Sequence, residues 1–193
     1  MRVLVIYAHP LPESFHATLH RTAVEALREA GHEVDDLDLN AEGFNPVLSE
    51  EERRHYHDET RNRAPVAGYV ARLARAEALV LCFPTWCMGL PAILKGFCDR
   101  VLVPGFAFHL AEGRPVQPGL THIRRLAAIV TYGRPWWMVW SCGNPPRMVV
   151  MRYLRWLTGK APTRYIAQYH MNQASQTQRA RFIARVRREM LAL

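Results

Sequence analysis

The chain has 193 residues, is 49% hydrophobic and carries a formal net charge of +8. That length suits one well-buried core and is short for two domains, so residues 1–193 are read as a single domain. No apolar run is long enough to cross a bilayer, and the first eight residues are too short for a secretion signal, so a cytoplasmic protein with no membrane insertion is expected. Four cysteines, Cys82, Cys87, Cys98 and Cys142, show no CxxC spacing and are read as reduced thiols rather than a metal site or a disulfide framework.

In chain order, RVLVIYA (residues 2–8) is a buried strand, and His9-Pro10-Leu11-Pro12-Glu13-Ser14 follows it as a loop. Ser14 is a natural cap for a helix reaching about Ala30, with Phe15, Leu19, Ala23, Ala26 and Ala30 facing inward and Gly31 closing it. Residues 33–39 form a more polar strand, as at a sheet edge. Asn40 to Asn62 is acidic and irregular, with a short helix, and a further helix spans Val66 to Arg75. Ala78 to Phe83 is an apolar run without alternation, which is what helices on both faces of a parallel strand demand. Pro84 stops that strand, Thr85-Trp86-Cys87-Met88-Gly89 makes a loop, and Pro91 opens a helix carrying Ile93, Leu94, Phe97 and Val101 at helical spacing.

The connection Val103 to Arg124 is long and contains a hairpin-like turn rich in Gly and Pro; loops of that length are often functional. A fourth strand, Arg125 to Thr131, ends at Tyr132-Gly133-Arg134-Pro135-Trp136-Trp137. A helix starts near Asn144, a fifth strand runs from Thr163 to Tyr169 and ends at His170, and Ala174 to Leu191 is the last helix. Five strands alternating with helices predict an α/β three-layer sandwich around a parallel sheet of order 2-1-3-4-5.

Charge is unevenly placed. From Arg147 onward there are nine arginines and Lys160 against one acid, Glu189. On the last helix Arg181, Arg185 and Arg188 lie opposite Phe182, Val186 and Met190, which describes a solvated face. No recognition motif accompanies the charge, so no nucleic-acid partner is expected.

In a sheet of that order the loops after the first, third and fourth strands converge on one crevice. The first loop feeds a helix N-terminus, whose free N–H groups and dipole favour a dianionic phosphate. Ser14, His16 and Thr18 could add side-chain donors there, and His9 a charge-tunable one; taken alone, Ser14 reads as a helix cap and His9-Pro10 as a ligand-facing pair or a strand-ending turn. Trp86 and Met88 suggest a wall for a flat ring, or core and interface residues. Trp136 and Trp137 read as an exposed cluster that covers a ligand or meets a partner. There is neither a Walker loop nor a GxGxxG, so neither ATP nor a Rossmann-style NAD site is expected. No metal site is expected.

Four stretches together carry a resemblance: VLVIYAHPLPESFHATL, DLDLNAEGFNPVLSEEE, EALVLCFPTWCMGLPAILKGFCDRVLVPGFAF and AIVTYG. In them the chain resembles the flavodoxin-fold family of NAD(P)H:quinone oxidoreductases, which includes ancillary subunits of potassium efflux systems. The resemblance implies a flavodoxin-like sandwich and a bound flavin, FMN with FAD as the alternative, and NAD(P)H as co-substrate. It implies that His9, Ser14, Phe15 and His16 hold the phosphate and ribityl chain, His16 standing where the family usually has Asn. Pro84, Thr85, Trp86, Cys87 and Met88 would line the flavin ring, and Thr131, Tyr132 and Gly133 would offer donors to its edge. The expected activity is ping-pong hydride transfer through flavin N5 to a quinone or similar small electrophilic acceptor, with Tyr132 as a donor near the ring. His170 reads as a proton donor or as a polar residue leading into the helix. Trp136 or Trp137 would be a lid, and a homodimer would complete the pocket. The rival readings are a regulatory flavin-binding subunit, an electron carrier, and a nitro or azo reductase.

Overall fold

A computed structural model describes residues 1–193. Its central sheet is built from β1 (Arg2–Tyr7), β2 (Glu33–Asp38), β3 (Ala78–Pro84), β6 (Arg125–Thr131) and β7 (Thr163–Gln168), all parallel, in the order β2-β1-β3-β6-β7. Among the sheet's own strands this is the expected 2-1-3-4-5. The remaining two strands, β4 (Phe108–His109) and β5 (Gln117–Pro118), pair antiparallel as the small hairpin anticipated in the long connection.

The absence of alternation in the strands has a direct cause. In β1, Leu4 and Ile6 enter one core layer while Val3, Val5 and Tyr7 enter the other, and all five are buried. One layer packs the sheet against α1 (Phe15–Glu29) and α8 (Gln176–Leu191), through Leu19, Ala23, Leu27, Phe182, Val186 and Met190. The other packs it against α3 (Ala67–Arg75), α4 (Ala92–Val101) and the helical run from Pro145 to Leu157. Each Leu or Val so buried contributes about 1.5–3 kcal/mol of transfer free energy. The stripe of arginines on α8 faces outward, opposite its apolar stripe.

Several local features follow from particular residues. Ser14 caps α1, its Oγ accepting from the Ala17 N–H at 3.1 Å. Ser49 caps the short α2 (Glu50–Arg54) in a reciprocal capping box with Glu52. Pro91 is the cap of α4, one place before the position predicted for it. A Cβ on Gly96 would lie 2.2 Å from the Pro46 carbonyl oxygen, so only glycine lets the segment after β2 seat on α4.

Beyond β6 the structure adds an element the sequence reading lacks. The expected loop through Trp136-Trp137 is a helix, α5 (Trp136–Ser141), with Pro135 as its cap. Asn144, at φ 47°, separates it from α6 (Pro145–Met148), a π-type stretch (Val149–Leu154) and α7 (Arg155–Leu157). No helix is long and apolar enough to cross a membrane.

Candidate active site at the carboxyl ends of the strands

The β1–α1, β3–α4 and β6–α5 loops meet at one rim, joined there by Met171 and Asn172 from the β7–α8 connection. Together they enclose a cavity of about 400 Å³ lined by His9, Ser14, Phe15, His16, Pro84, Thr85, Trp86, Thr131, Gly133, Met171 and Asn172. Its size lies within the usual range for ligand pockets. A smaller cavity adjoins it through Thr85 and Gly133, with Cys87, Met88, Tyr132, Arg134 and Val139 as its other walls. A polar depression of similar size lies elsewhere, around Glu52, His55, Asn62 and Arg100. There the Arg100–Glu52 ion pair closes on itself, far from the strand ends where an open α/β sheet binds ligands.

The side of the cavity beneath the first loop is organised by α1. Ser14 satisfies Ala17, which leaves the N–H groups of Phe15 and His16 without intrahelical acceptors. No acidic residue occupies the helix's first turn. The Nδ1 of His9 accepts from the Leu11 N–H at 3.1 Å, so the neutral ring carries its proton on Nε2. Burial holds the His9 pKa below its ordinary value, favouring that neutral form. Its ring meets the edge of Trp86 at 5.7 Å and 61°.

His16 corrects an expectation. The ring is 3% exposed, with Nε2 3.4 Å from the Cys82 Sγ and Nδ1 3.3 Å from the Thr131 Oγ1. Burial, with His9 and His20 adding to it, pushes its pKa down to about 3, so it is neutral. Both ring nitrogens are engaged below the cavity, and the side chain forms its floor instead of offering a donor into it. The second helical position of α1 turns this ring toward the strands.

The β3–α4 loop holds the flat wall. Thr85 ties it to β6, its N–H and Oγ1 both donating to the Thr131 carbonyl at 2.9 and 3.1 Å. Trp86 and Gly89 bond across a tight turn whose central residues, Cys87 and Met88, have φ of 49° and 60°. The positive φ values fall on these two residues and not on the neighbouring Gly89. Non-glycine residues in that region cost about 1–3 kcal/mol each and cluster where a surface must be shaped. Trp86 is held out at 46% exposure.

Tyr132 and His170 are not where catalytic donors would stand. The Tyr132 ring is 1% exposed, its hydroxyl donates to the Asn144 Oδ1 at 2.6 Å, and it also meets the Tyr165 hydroxyl. Burial pushes its pKa up to about 12. Tyr132 is a wall of the adjoining cavity, but its phenol is spent on Asn144 and Tyr165. His170 is exposed, at φ 57°, with its N–H donating to the Arg134 carbonyl at 2.9 Å, and it lines neither cavity. The residues that follow it, Met171 and Asn172, line the larger cavity instead. Those two and Arg134 escaped the sequence reading, although the rule that ligands sit beyond strand ends pointed to the segment after β7. Trp136 and Trp137 stand at the rim, 62% and 57% exposed, and line neither cavity. No group of three or more His, Cys, Asp or Glu is placed to hold a metal ion.

An open parallel sheet with helices on both faces and a cavity at its switch point is the doubly wound α/β arrangement. Residues 1–193 match the family described as having a flavodoxin-like fold, and the chain belongs to it. A ribosyldihydronicotinamide dehydrogenase-like protein of Penicillium crustosum is 34% identical over 154 residues, 69% of this chain and 58% of that protein. NAD(P)H dehydrogenase [quinone] 1 of Rattus norvegicus is 35% identical over 126 residues, 57% of this chain and 46% of that one. The chain thus spans about half the length of such curated relatives. An NAD(P)H:quinone oxidoreductase from Methanothermobacter marburgensis superposes with a TM-score of 0.81 at 26% identity, covering 99% of this chain and 98% of its own.

Proposed function

We propose that this chain is a flavin-dependent NAD(P)H oxidoreductase that reduces quinones or similar small electrophiles, with FMN as its flavin. The observation that carries this reading is the convergence in one cavity of the open first turn of α1 and the exposed face of Trp86. The relatives named as NAD(P)H and quinone oxidoreductases support it.

The residues fit such a cofactor. Phe15 and His16 would give their N–H groups to its phosphate, and Ser14 would keep the helix end in shape. Pro84, Thr85, Trp86, Cys87 and Met88 would flank the ring, and the N–H of Gly133 would face its polar edge. When bound, a flavin supplies the hydride-accepting and hydride-donating atom that the protein lacks. The chain's own part is to stack the nicotinamide and then the acceptor against that ring. Fixed N–H dipoles would stabilise negative charge developing at its edge. The strained Cys87–Met88 turn keeps Trp86 in place, and the exposed tryptophans of α5 would cover the acceptor and shed water. A second copy of the chain would complete the pocket.

Absorption of the purified protein near 450 nm, followed by chromatography of the released flavin, tests the cofactor and separates FMN from FAD. Steady-state oxidation of NADH or NADPH with a soluble quinone tests the activity. An electron carrier or regulatory subunit would show almost no turnover, and a protein that stays colourless after soaking in FMN or FAD would end the reading.

A further inference from the structure

Three of the five tryptophans stand on the outside of one short helix. In α5 the inward contact is made by Val139, which is fully buried, while Trp136, Trp137 and Trp140 are 62%, 57% and 52% exposed. Their spacing, i, i+1 and i+4, sets all three within about 100° of arc on one face of the helix. None of them lines either cavity at the strand-end rim. Large aromatics dominate the energetics of cores and interfaces, so a cluster of three left in water marks a surface that meets something.

The charge around them indicates what it meets. Between Glu112 and Glu189 the sequence has thirteen arginines and Lys160 but no Asp or Glu. Of these cations only Arg124, Arg164 and Arg187 form ion pairs. The stretch that carries the indoles, residues 134–160, therefore presents Arg134, Arg147, Arg152, Arg155 and Lys160 with no counter-charge of its own. The guanidinium carbon of Arg147 lies 5.7 Å from the centre of the Trp140 ring, and Arg134 is exposed two residues before Trp136. Among the four loops at the rim only the first holds an acid, Glu13. Indoles beside unpaired cations match the boundary layer of a bilayer with anionic headgroups, where the rings sit at headgroup level and each nearby arginine gains from the surface potential. A second copy of the chain fits worse, because a twofold contact through this face would set cations against cations.

We propose that α5 and the arginines flanking it form a docking face for an anionic membrane surface. The indoles of Trp136, Trp137 and Trp140 enter the interfacial layer and Arg134 and Arg147 meet lipid phosphates, so the protein lies on the bilayer without crossing it. This docking stands without the activity proposed above. Where that activity holds, docking sets the strand-end rim against the lipid and gives an acceptor dissolved in the bilayer a short path to the cavity.

Co-sedimentation of the purified protein with vesicles tests it, using phosphatidylcholine alone and phosphatidylcholine mixed with phosphatidylglycerol. At about 0.1 M salt the mixed vesicles should bind about tenfold more tightly than the neutral ones, and the difference should shrink as salt rises. Vesicles with brominated acyl chains should quench the protein's tryptophan fluorescence, a reading on wild type that needs no variant. W136S/W137S/W140S should lose about tenfold or more in affinity for the mixed vesicles, and R134Q severalfold. Thermal unfolding reports whether each variant folds. Absence of binding to the mixed vesicles overturns the proposal. So does binding that the folded triple variant keeps, or binding without quenching, which would be headgroup attraction alone. Wild type that ignores vesicles while using the three indoles to hold a second copy, read by size-exclusion chromatography, or to bind single-stranded DNA, assigns the face to another partner and overturns it too.

Discussion

The two sides of the crevice treat their polar groups in opposite ways. On the β6 side the groups are spent on one another: Tyr132, Asn144 and Tyr165 form a closed buried set, and Tyr132 stacks on Tyr169 at 4.7 Å. On the β1 side, with the β3–α4 loop beside it, they are held in reserve, with open N–H groups at the start of α1, an unpaired Tyr7 hydroxyl, an unpaired Arg179 Nε and an exposed Trp86. A satisfied buried network rigidifies a scaffold, whereas unsatisfied groups at a rim mark where a ligand completes the structure. If the proposed flavin reading holds, the β6 side is the support and the β1 side the grip.

The largest effect should come from breaking the support. Asn144→Ala removes the acceptor of the Tyr132 hydroxyl and forces alanine into the left-handed conformation at φ 47°. A loss of about 2–4 kcal/mol in unfolding free energy is expected from these two costs, read by urea denaturation of the flavin-free protein. Asn144→Gly, which keeps the backbone freedom, should lose about 1 kcal/mol less.

A smaller, pH-dependent effect belongs to His16, which sits between the two sides. Its native pKa, about 3, lies below that of the unfolded chain. In the window between about 3 and the usual histidine value near 6.5, the unfolded chain therefore binds a proton that the native one refuses. Stability from this residue is intact above that window and falls as pH drops through it, by about 1.4 kcal/mol per unit at most. His16→Asn should remove this acid sensitivity, so that going from pH 6 to pH 5 costs wild type about 1 kcal/mol more than the variant. Equal losses in both would count against the buried neutral ring.

The smallest effect on the fold should come from the grip. Trp86→Ala removes an exposed side chain, and its unfolding midpoint should stay within about 0.5 kcal/mol of wild type. Flavin affinity should nevertheless fall by about tenfold or more, the usual worth of a stacked aromatic. A variant that loses stability but binds flavin as before would reverse the assignment of the two sides.

Which of these features could be read beforehand follows the range of the interactions involved. Uninterrupted apolar runs at Val3–Tyr7 and Ala78–Phe83 can only be strands covered on both faces, and Ser14 and Gly31 bracket α1 by local backbone chemistry. Strand order and the convergence of three loops follow from such elements, because crossover handedness leaves few alternatives. The role of a single side chain does not follow, since it depends on which neighbour reaches it first. Tyr132 reads as a free donor in the sequence, but Asn144 and Tyr165 occupy its hydroxyl. His16 reads as a ligand donor, but Cys82 and Thr131 take both its nitrogens, and Met171 and Asn172 line the cavity in place of His170. Sequence by itself determined the layers, the strand order and the rim, because periodicity and caps are local. Tertiary structure alone decided which polar groups there are satisfied and which remain open, because that is settled by contacts across the fold.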